Sequence, residues 1–498
     1  MVALARHNQR LKFQGAPMFW RGVIGYLPVN VVQGVVGLLT IVTFTRLLTP
    51  EQYGHYALGF SVMVLAHTSL LTWTEAAMAR FWVGEEAKGD ASHHMATLYR
   101  TWLVLLAALP PAALVIAFWP MQHDLKLAAA AGLAAVAPRS IANLIQQRQR
   151  AAGEVRNAAF MDIAQTLGAF GIGVAMALAG WGGAAPVLGA AAAAGLCAMV
   201  LLPRELGRAR GGRFEPKRAR SYAAYGTPVA LSLILALVLA TTDRFVIAAY
   251  LDEASVGVYH AGYSLANRTL DVLFIWLGGA GAPALIMAME RGGRPALASA
   301  AREQASLMIL LTLPAAAGVA MTAGPLSDLL VGPALREGAA QVTPWIAASG
   351  FLGGMTTYYF SQAFTLARRT GRLLAAMAIP AVANLALNLV LIPHMGLTGA
   401  LLATLISFGL GLIATLALGR GLVDLPIPWK TLAEAGFATL LMGLAVNQVP
   451  ALGGVVELAL KAGVGALVYG VVVYVLDAGG LRSRAGQLLR TVRARPAA

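Results

Sequence analysis

The chain has 498 residues, 58% of them hydrophobic and only 12% charged, with a mean hydropathy of +0.70. A soluble domain carries about 25% charged residues, so this chain cannot cover its own surface in water and reads as an all-α, polytopic membrane protein. The single cysteine, Cys197, excludes an internal disulfide and a cysteine-based metal site, and no other metal or cofactor is expected.

The first 22 residues are polar and basic, and no cleavable signal peptide is expected. The apolar runs that follow predict about fourteen transmembrane helices: roughly 23–45, 55–79, 98–119, 125–143, 158–179, 183–203, 222–247, 256–282, 301–323, 339–363, 372–392, 397–419, 430–449 and 455–476. Phe19, Trp20, Trp119, Trp181, Trp345 and Trp429 stand near their ends, as interface anchors do. An even number of spans places both termini on one side. Of the 37 lysines and arginines, 31 fall on that side; Arg46, Lys126, Arg244 and Arg336 fall on the other, and Arg268 and Lys461 lie inside spans. The positive-inside rule then puts both termini in the cytoplasm. The net charge of +15 is spread over every cytoplasmic loop, which argues against a nucleic-acid partner.

Two stretches recur. The corner "RLLTPEQYGHYAL" at 46–58 returns as "YLDEASVGVYHAGY" at 250–263, with Leu48, Gly54 and Tyr56 falling on Leu251, Gly257 and Tyr259, an offset of 203. Residues 146–184 align onto 362–400 without a gap at an offset of 216, laying Gln146 on Gln362, Gly180 on Gly396 and Gly183 on Gly399. The order predicts two parallel six-helix lobes, related by an axis along the membrane normal, plus an extra helix pair. The expected organisation is a first lobe at 1–205, a basic cytoplasmic linker at 206–220 inside "RELGRARGGRFEPKRAR", a second lobe at 221–421, and helices 13 and 14 with a basic cytoplasmic tail at 422–498. Two such lobes form a transporter architecture, with a site near the midplane. Gly278, Gly279, Gly281 and Pro283 late in helix 8 permit close packing or a bend. No G-x-x-x-x-G-K-[ST], H-E-x-x-H or G-x-S-x-G motif occurs, and no exterior loop is long enough for a catalytic domain. Transport is therefore expected, not catalysis.

A charge at the bilayer centre costs a few kcal/mol or more and marks a functional candidate. Arg268 and Asp271 lie mid-way along helix 8, three residues apart on one face, and can pair. Asp243 and Arg244 stand at the outer end of helix 7. Arg46 closes helix 1, Glu75 lies a turn inside the cytoplasmic end of helix 2, and Arg80 ends that helix. Arg46, Arg80, Asp162 and Lys461 read as snorkelling side chains, whereas Glu75 and Asp243 are equally compatible with function and with structural pairing. His67 reads as a packed polar residue, and Asn384 and Asn388 as makers of interhelical hydrogen bonds.

The segments "TRLLTPEQYGHYAL", "AAMARFW", "TTDRFVIAAYLDEASVGVYHAGYSL" and "NLALNLVLIPHMGLTGALLATLIS" resemble the polysaccharide flippases of the multidrug/oligosaccharidyl-lipid/polysaccharide exporter superfamily, over essentially the whole chain. The resemblance implies two lobes around a V-shaped cavity. It also implies export of polyprenyl-diphosphate-linked sugars across a bacterial inner membrane, with a polysaccharide polymerase and glycosyltransferases as possible partners. Relatives use cavity arginines on helices 1, 2 and 8 to hold the diphosphate; here Arg268 sits at a comparable depth, while Arg21 and Arg80 fall at helix ends. The expected diphosphate-binding set is Arg268 and Arg80, with Arg46 and Arg244 as further cations. Glu75, Asp243 and Asp271 form the expected set of cavity or ion-coupling acids. Glu75 departs from the small residue usual at its position. A lipid II flippase, a cation-coupled drug exporter and a membrane scaffold for glycosyltransferases remain the alternatives.

Overall fold

The structure, a computed structural model, describes residues 28–120, 122–480 and 482–483. Arg21, Phe19, Trp20, the basic leader and most of the basic tail lie outside the described residues. Helices account for nearly all of the rest, and no strand occurs among the described residues. Two compact units form, Met1–Ile234 and Leu235–Ala498, and the division falls inside one helix.

The first unit comprises α1 (Pro28–Leu47), α2 (Pro50–Leu70), α3 (Thr72–Ala87), α4 (Ala91–Leu106), α5 (Leu109–Phe118), α6 (His123–Ala151), α7 (Val155–Leu178), α8 (Ala185–Arg208) and the start of α9 (Pro216–Tyr250). The rest of α9 belongs to the second unit. It is followed there by α10 (Glu253–Met321), α11 (Ala323–Leu330), α12 (Pro333–Met355), α13 (Gln362–Leu366), α14 (Thr370–Met395), α15 (Leu397–Gly419), α16 (Trp429–Asn447) and α17 (Gly454–Leu476). Among the described residues, ten helices are long and apolar enough to cross a membrane, or up to eleven if the bent pair α2–α3 is one span. The chain is a multi-pass membrane protein.

Three features differ from the sequence expectation. The second span is broken: α2 and α3 meet at Leu71 with a bend of 50°. Leu71 leaves helical geometry (φ −122°, ψ −23°), and its carbonyl accepts a hydrogen bond from Thr74 Oγ1. The fourth span continues to Ala151, well past the expected end at 143, so Arg139 lies near the middle of α6 and not at its edge. The eighth and ninth spans fall on one 69-residue helix, α10. At about 1.5 Å per residue it would reach roughly 100 Å, three times the bilayer core, if straight. It is interrupted at Gly293, whose φ of 63° and ψ of −156° only glycine adopts without strain.

The repeated corners share their local chemistry. Thr49 caps α2, accepting a hydrogen bond from the Gln52 amide while the Gln52 side chain accepts one from the Thr49 amide. The 203-residue offset lays Thr49 on Asp252, which caps α10 by accepting from the Ser255 amide at 2.6 Å. Gly180 and Gly396, matched by the second offset, both turn with positive φ, 88° and 59°.

Within the first unit α2 and α6 touch backbone to backbone. A Cβ on Gly132 would lie 2.4 Å from the Gly59 carbonyl oxygen, and one on Gly59 would lie 2.5 Å from that of Ala128. Small residues allow this approach, which supplies packing where no hydrophobic effect operates. At the end of α6, Arg148 is almost fully buried. It donates to both oxygens of Glu154 at 2.7 and 3.1 Å, lies 2.8 Å from Glu205 on α8, and stands over the Trp82 ring. Arg208 closes the network on Glu205 at 2.7 Å.

Gly132→Ala should force α2 and α6 apart at a cost of about 1–3 kcal/mol and lower the thermal midpoint in detergent, whereas Gly34→Ala, with open space at its Cβ, should not; equal midpoints would contradict the contact. The hydrogen bonds from Arg148 hold the Glu154 carboxyl below its ordinary value of 4.5. Its stabilising contribution is therefore full above that value and is lost as the pH falls through the lower folded one. Glu154→Gln should flatten the acid limb of the midpoint-against-pH curve, and an unchanged limb would contradict it.

Candidate functional site

Each unit contains a cavity among its helices, the second unit's lined mostly by apolar surface with a set of polar groups and the first unit's mainly polar. The larger, about 630 Å³, lies in the second unit. α10 contributes Tyr263, Asn267 and Asp271, spaced four apart so that they share one helical face. Phe274, one turn on, stacks against Tyr358 at 5.9 Å. Tyr358 belongs to a π-helical turn, Thr356–Phe360, between α12 and α13. Such turns interrupt the regular ladder, often at functional sites. Gln304 donates to the Tyr358 carbonyl at 3.4 Å. Gly278 and Gly281 permit these contacts: a Cβ on the first would meet the Tyr358 ring at 2.4 Å, and one on the second the Gln304 amide at 2.0 Å. Gly279 faces open space. Gln362, Thr365 and Thr404 extend the polar wall.

Arg268 and Asp271, whose spacing permits an ion pair, do not form one. Asp271 lines the cavity, while Arg268 is exposed and makes no ion pair or hydrogen bond among the described residues. They interact only at longer range. Asp243 is fully buried. It accepts hydrogen bonds from the Tyr259 hydroxyl and from the Arg244 amide, and Tyr259 in turn contacts Thr404 Oγ1 at 3.2 Å. The chain Asp243–Tyr259–Thr404 thus runs from a buried carboxylate to the cavity wall. Arg244 is buried as well. Its guanidinium lies 4.7 Å from the centre of the Tyr263 ring and donates to the Ala240 carbonyl at 2.7 Å. It faces a cavity-lining ring and has little solvent access, contrary to its expected place in a cation set open to cargo.

The smaller cavity, about 240 Å³, lies in the first unit. Arg139, Asn143 and Gln146 project from α6 at i, i+4 and i+7, and Asp162, Gln165 and Thr166 from α7 at i, i+3 and i+4. Gln146 here and Gln362 in the second unit's cavity are the pair that the 216-residue offset aligns. Asp162 is not merely snorkelling; it pairs with Arg150 at 2.9 Å. Glu75 and His67 are both buried, with His67 Nε2 2.9 Å from Glu75 Oε1 across the α2–α3 break. Arg139 interacts with Glu75 electrostatically but forms no ion pair among the described residues.

The remaining candidates lie elsewhere. Arg46 donates to the Val42 carbonyl at 2.7 Å. Arg80 is exposed on α3, 5.9 Å from the Phe81 ring centre. Lys461 pairs with Glu457 at 2.6 Å. Asn384 and Asn388 are buried, but their hydrogen bond, 3.0 Å, runs along α14 and not between helices, because residues four apart meet on one face. The sequence reading did not single out Arg139, which falls near the end of the expected span 125–143; the polar stripe 139, 143, 146 was the available signal.

Residues 43–337 match the family described as polysaccharide biosynthesis protein. The chain belongs to that family. The fold of this family member is similar to that of the lipid II flippase MurJ in an inward closed conformation, with a TM-score of 0.74, 12% identity, and coverage of 91% of this chain and 99% of the other. It is also similar to an inward-facing multidrug resistance MATE family transporter of the MOP superfamily, with a TM-score of 0.60, 16% identity, and coverage of 78% and 94%. At these identities the likeness is one of fold. A search among curated proteins returns no match.

Tyr259→Phe removes the hydroxyl donor from the buried Asp243 and should cost about 1–3 kcal/mol, seen as a lower thermal midpoint in detergent. A midpoint equal to wild type would contradict the assigned hydrogen bond.

Proposed function

We propose that this protein is a flippase that carries a polyprenyl-diphosphate-linked oligosaccharide from the inner to the outer leaflet of a bacterial inner membrane, by alternating access, for polysaccharide assembly. The observation that carries the reading is the second unit's 630 Å³ cavity, in which hydroxyl, amide and aromatic groups accompany a single acidic lining residue, Asp271. A sugar crossing hydrocarbon would lose the hydrogen bonds of every hydroxyl. Tyr263, Asn267, Gln362 and Thr365 can replace them, and the stacked Phe274–Tyr358 pair offers a flat apolar face. A cation-coupled drug exporter would be better served by a cavity rich in acids. The polyprenyl tail has no reason to leave the lipid.

In this proposal both termini are cytoplasmic and Arg268, exposed beside the cavity, holds the diphosphate. Arg80 attracts it at the end of α3. Arg46 is a peripheral cation. Arg244 positions the Tyr263 ring and does not touch the cargo. Moving about two negative charges outward along an inside-negative potential of roughly 100 mV releases on the order of 4–5 kcal/mol, so no nucleotide is needed. Asp243, joined to the cavity through Tyr259 and Thr404, and Glu75, paired with His67, are the proposed sites for a coupling ion. A polymerase and glycosyltransferases are the proposed partners downstream and upstream.

Arg268→Ala at wild-type expression should reduce polymer export at least about tenfold, as expected for losing a charge-assisted contact of about 1.5–3 kcal/mol, and strand the lipid-linked oligosaccharide on the inner leaflet. Export at the wild-type rate would overturn the diphosphate assignment. Loss of viability on gene deletion, with lipid II retained inside, would favour the lipid II reading.

A further inference from the structure

The lining of the second unit's cavity holds one charged side chain among the described residues, Asp271. Its carboxylate is exposed there and makes no ion pair or hydrogen bond among the described residues. Two arginines stand near, and neither lines the cavity. Arg244 is buried against the Tyr263 ring, 4.7 Å from its centre, and 4.0 Å from the Asp243 carboxylate, which balances its charge. Arg268 acts on Asp271 only at longer range. The rest of the polar wall is neutral, with the Tyr263 hydroxyl, the amides of Asn267 and Gln362 and the Thr365 hydroxyl. The remaining lining is mostly apolar, and such surroundings screen charge poorly.

A carboxylate in this place has two effects on a sugar. It accepts hydrogen bonds from hydroxyl groups at about four lone-pair sites, and it repels a second carboxylate. An amide, of which the cavity already has two, would serve hydroxyls without the cost of a charge in a membrane helix. What the charge adds is stronger acceptance and discrimination by sign, the repulsive element that selectivity needs. Phe274, one turn beyond Asp271 and stacked on Tyr358 at 5.9 Å, offers an apolar surface to a sugar ring. Neutral and acidic hexoses share that ring face, so the aromatic pair does not separate them, whereas Asp271 does.

We propose that Asp271 sets the charge class of the cargo: the second unit's cavity takes sugars that are neutral or carry an ammonium group and turns away sugars that carry a carboxylate. The inference rests on the flippase reading for its cargo and deepens it by naming the sugar class. It concerns the sugar end alone; the diphosphate is assigned to Arg268.

The test compares two fluorescent polyprenyl-diphosphate trisaccharides that differ at one position, with glucose in one and glucuronic acid in the other, so that a hydroxymethyl group is exchanged for a carboxylate. Wild-type protein in proteoliposomes should move the neutral cargo at least about tenfold faster when cargo is limiting. Asp271→Asn keeps the shape and an acceptor oxygen and loses the charge. It should bring the two rates within about threefold of each other, chiefly by speeding the acidic cargo. The side chain has no partner to lose, so the thermal midpoint should stay at the wild-type value. A merely structural role would slow both cargoes alike and leave their ratio unchanged. Binding of the two free trisaccharides, without lipid or diphosphate, to the full chain in phosphatidylcholine nanodiscs gives a second reading with the same expected ratios. Selective binding of the neutral trisaccharide, abolished by Asp271→Asn, with no transfer of either cargo would uphold the inference and sink the flippase reading. Transfer at equal rates in wild type, or a ratio that Asp271→Asn leaves unchanged, would uphold the flippase and overturn the inference. Neither transfer nor binding would overturn both.

Discussion

Hydrocarbon does not solvate charge, and that constraint organises the polar residues of this chain. Each ionisable group in the helices must find a partner, reach an aqueous edge, or line a cavity. His67 and Glu75, Arg150 and Asp162, and Lys461 and Glu457 take the first course. Asp243 is held by the Tyr259 hydroxyl and a backbone amide. Once these are set aside, the groups left beside the cavities are few: Asp271 in the second unit, with Arg268 nearby, and Arg139 in the first. The functional proposals rest on Arg268 and Asp271 because the paired groups are already explained by cost.

Close packing is the second constraint. Lipid tails are as apolar as leucine, so helices gain little from hiding hydrophobic faces and must instead touch tightly. Gly59 and Gly132 bring α2 against α6, and Gly278 and Gly281 bring α10 against Tyr358 and Gln304. The same glycines that hold the helices thus shape the cavity wall: at Gly278, a methyl group would displace the ring that stacks on Phe274. Packing and site are not separable here.

The membrane class and most helices were legible because a run of about 20 apolar residues has few other uses. The repeated stretches show like chemistry at their turns: Thr49 and Asp252 both cap helices, and Gly180 and Gly396 both have positive φ. What failed was detail set by tertiary contact. The break at Leu71 carries no proline or glycine to announce it. The extension of α6 depends on Arg148 meeting Glu154 and Glu205, the latter far along the chain. That extension moves Arg139 from near the edge of the expected span to near the middle of α6. Arg268 and Asp271 have helical spacing suited to pairing, yet Asp271 lines the cavity and the two form no ion pair. Side-chain direction, which sequence spacing leaves open, decided the matter.

The central claim, that the protein moves a diphosphate-bearing lipid whose head group travels through the second unit's cavity, is tested most directly in proteoliposomes holding a fluorescent polyprenyl-diphosphate oligosaccharide and an imposed potential. The rate at which a membrane-impermeant quencher gains access to the head group is the readout. Protein-dependent transfer that quickens when the compartment of origin is made negative is the expected result. Transfer no faster than in protein-free vesicles would contradict it.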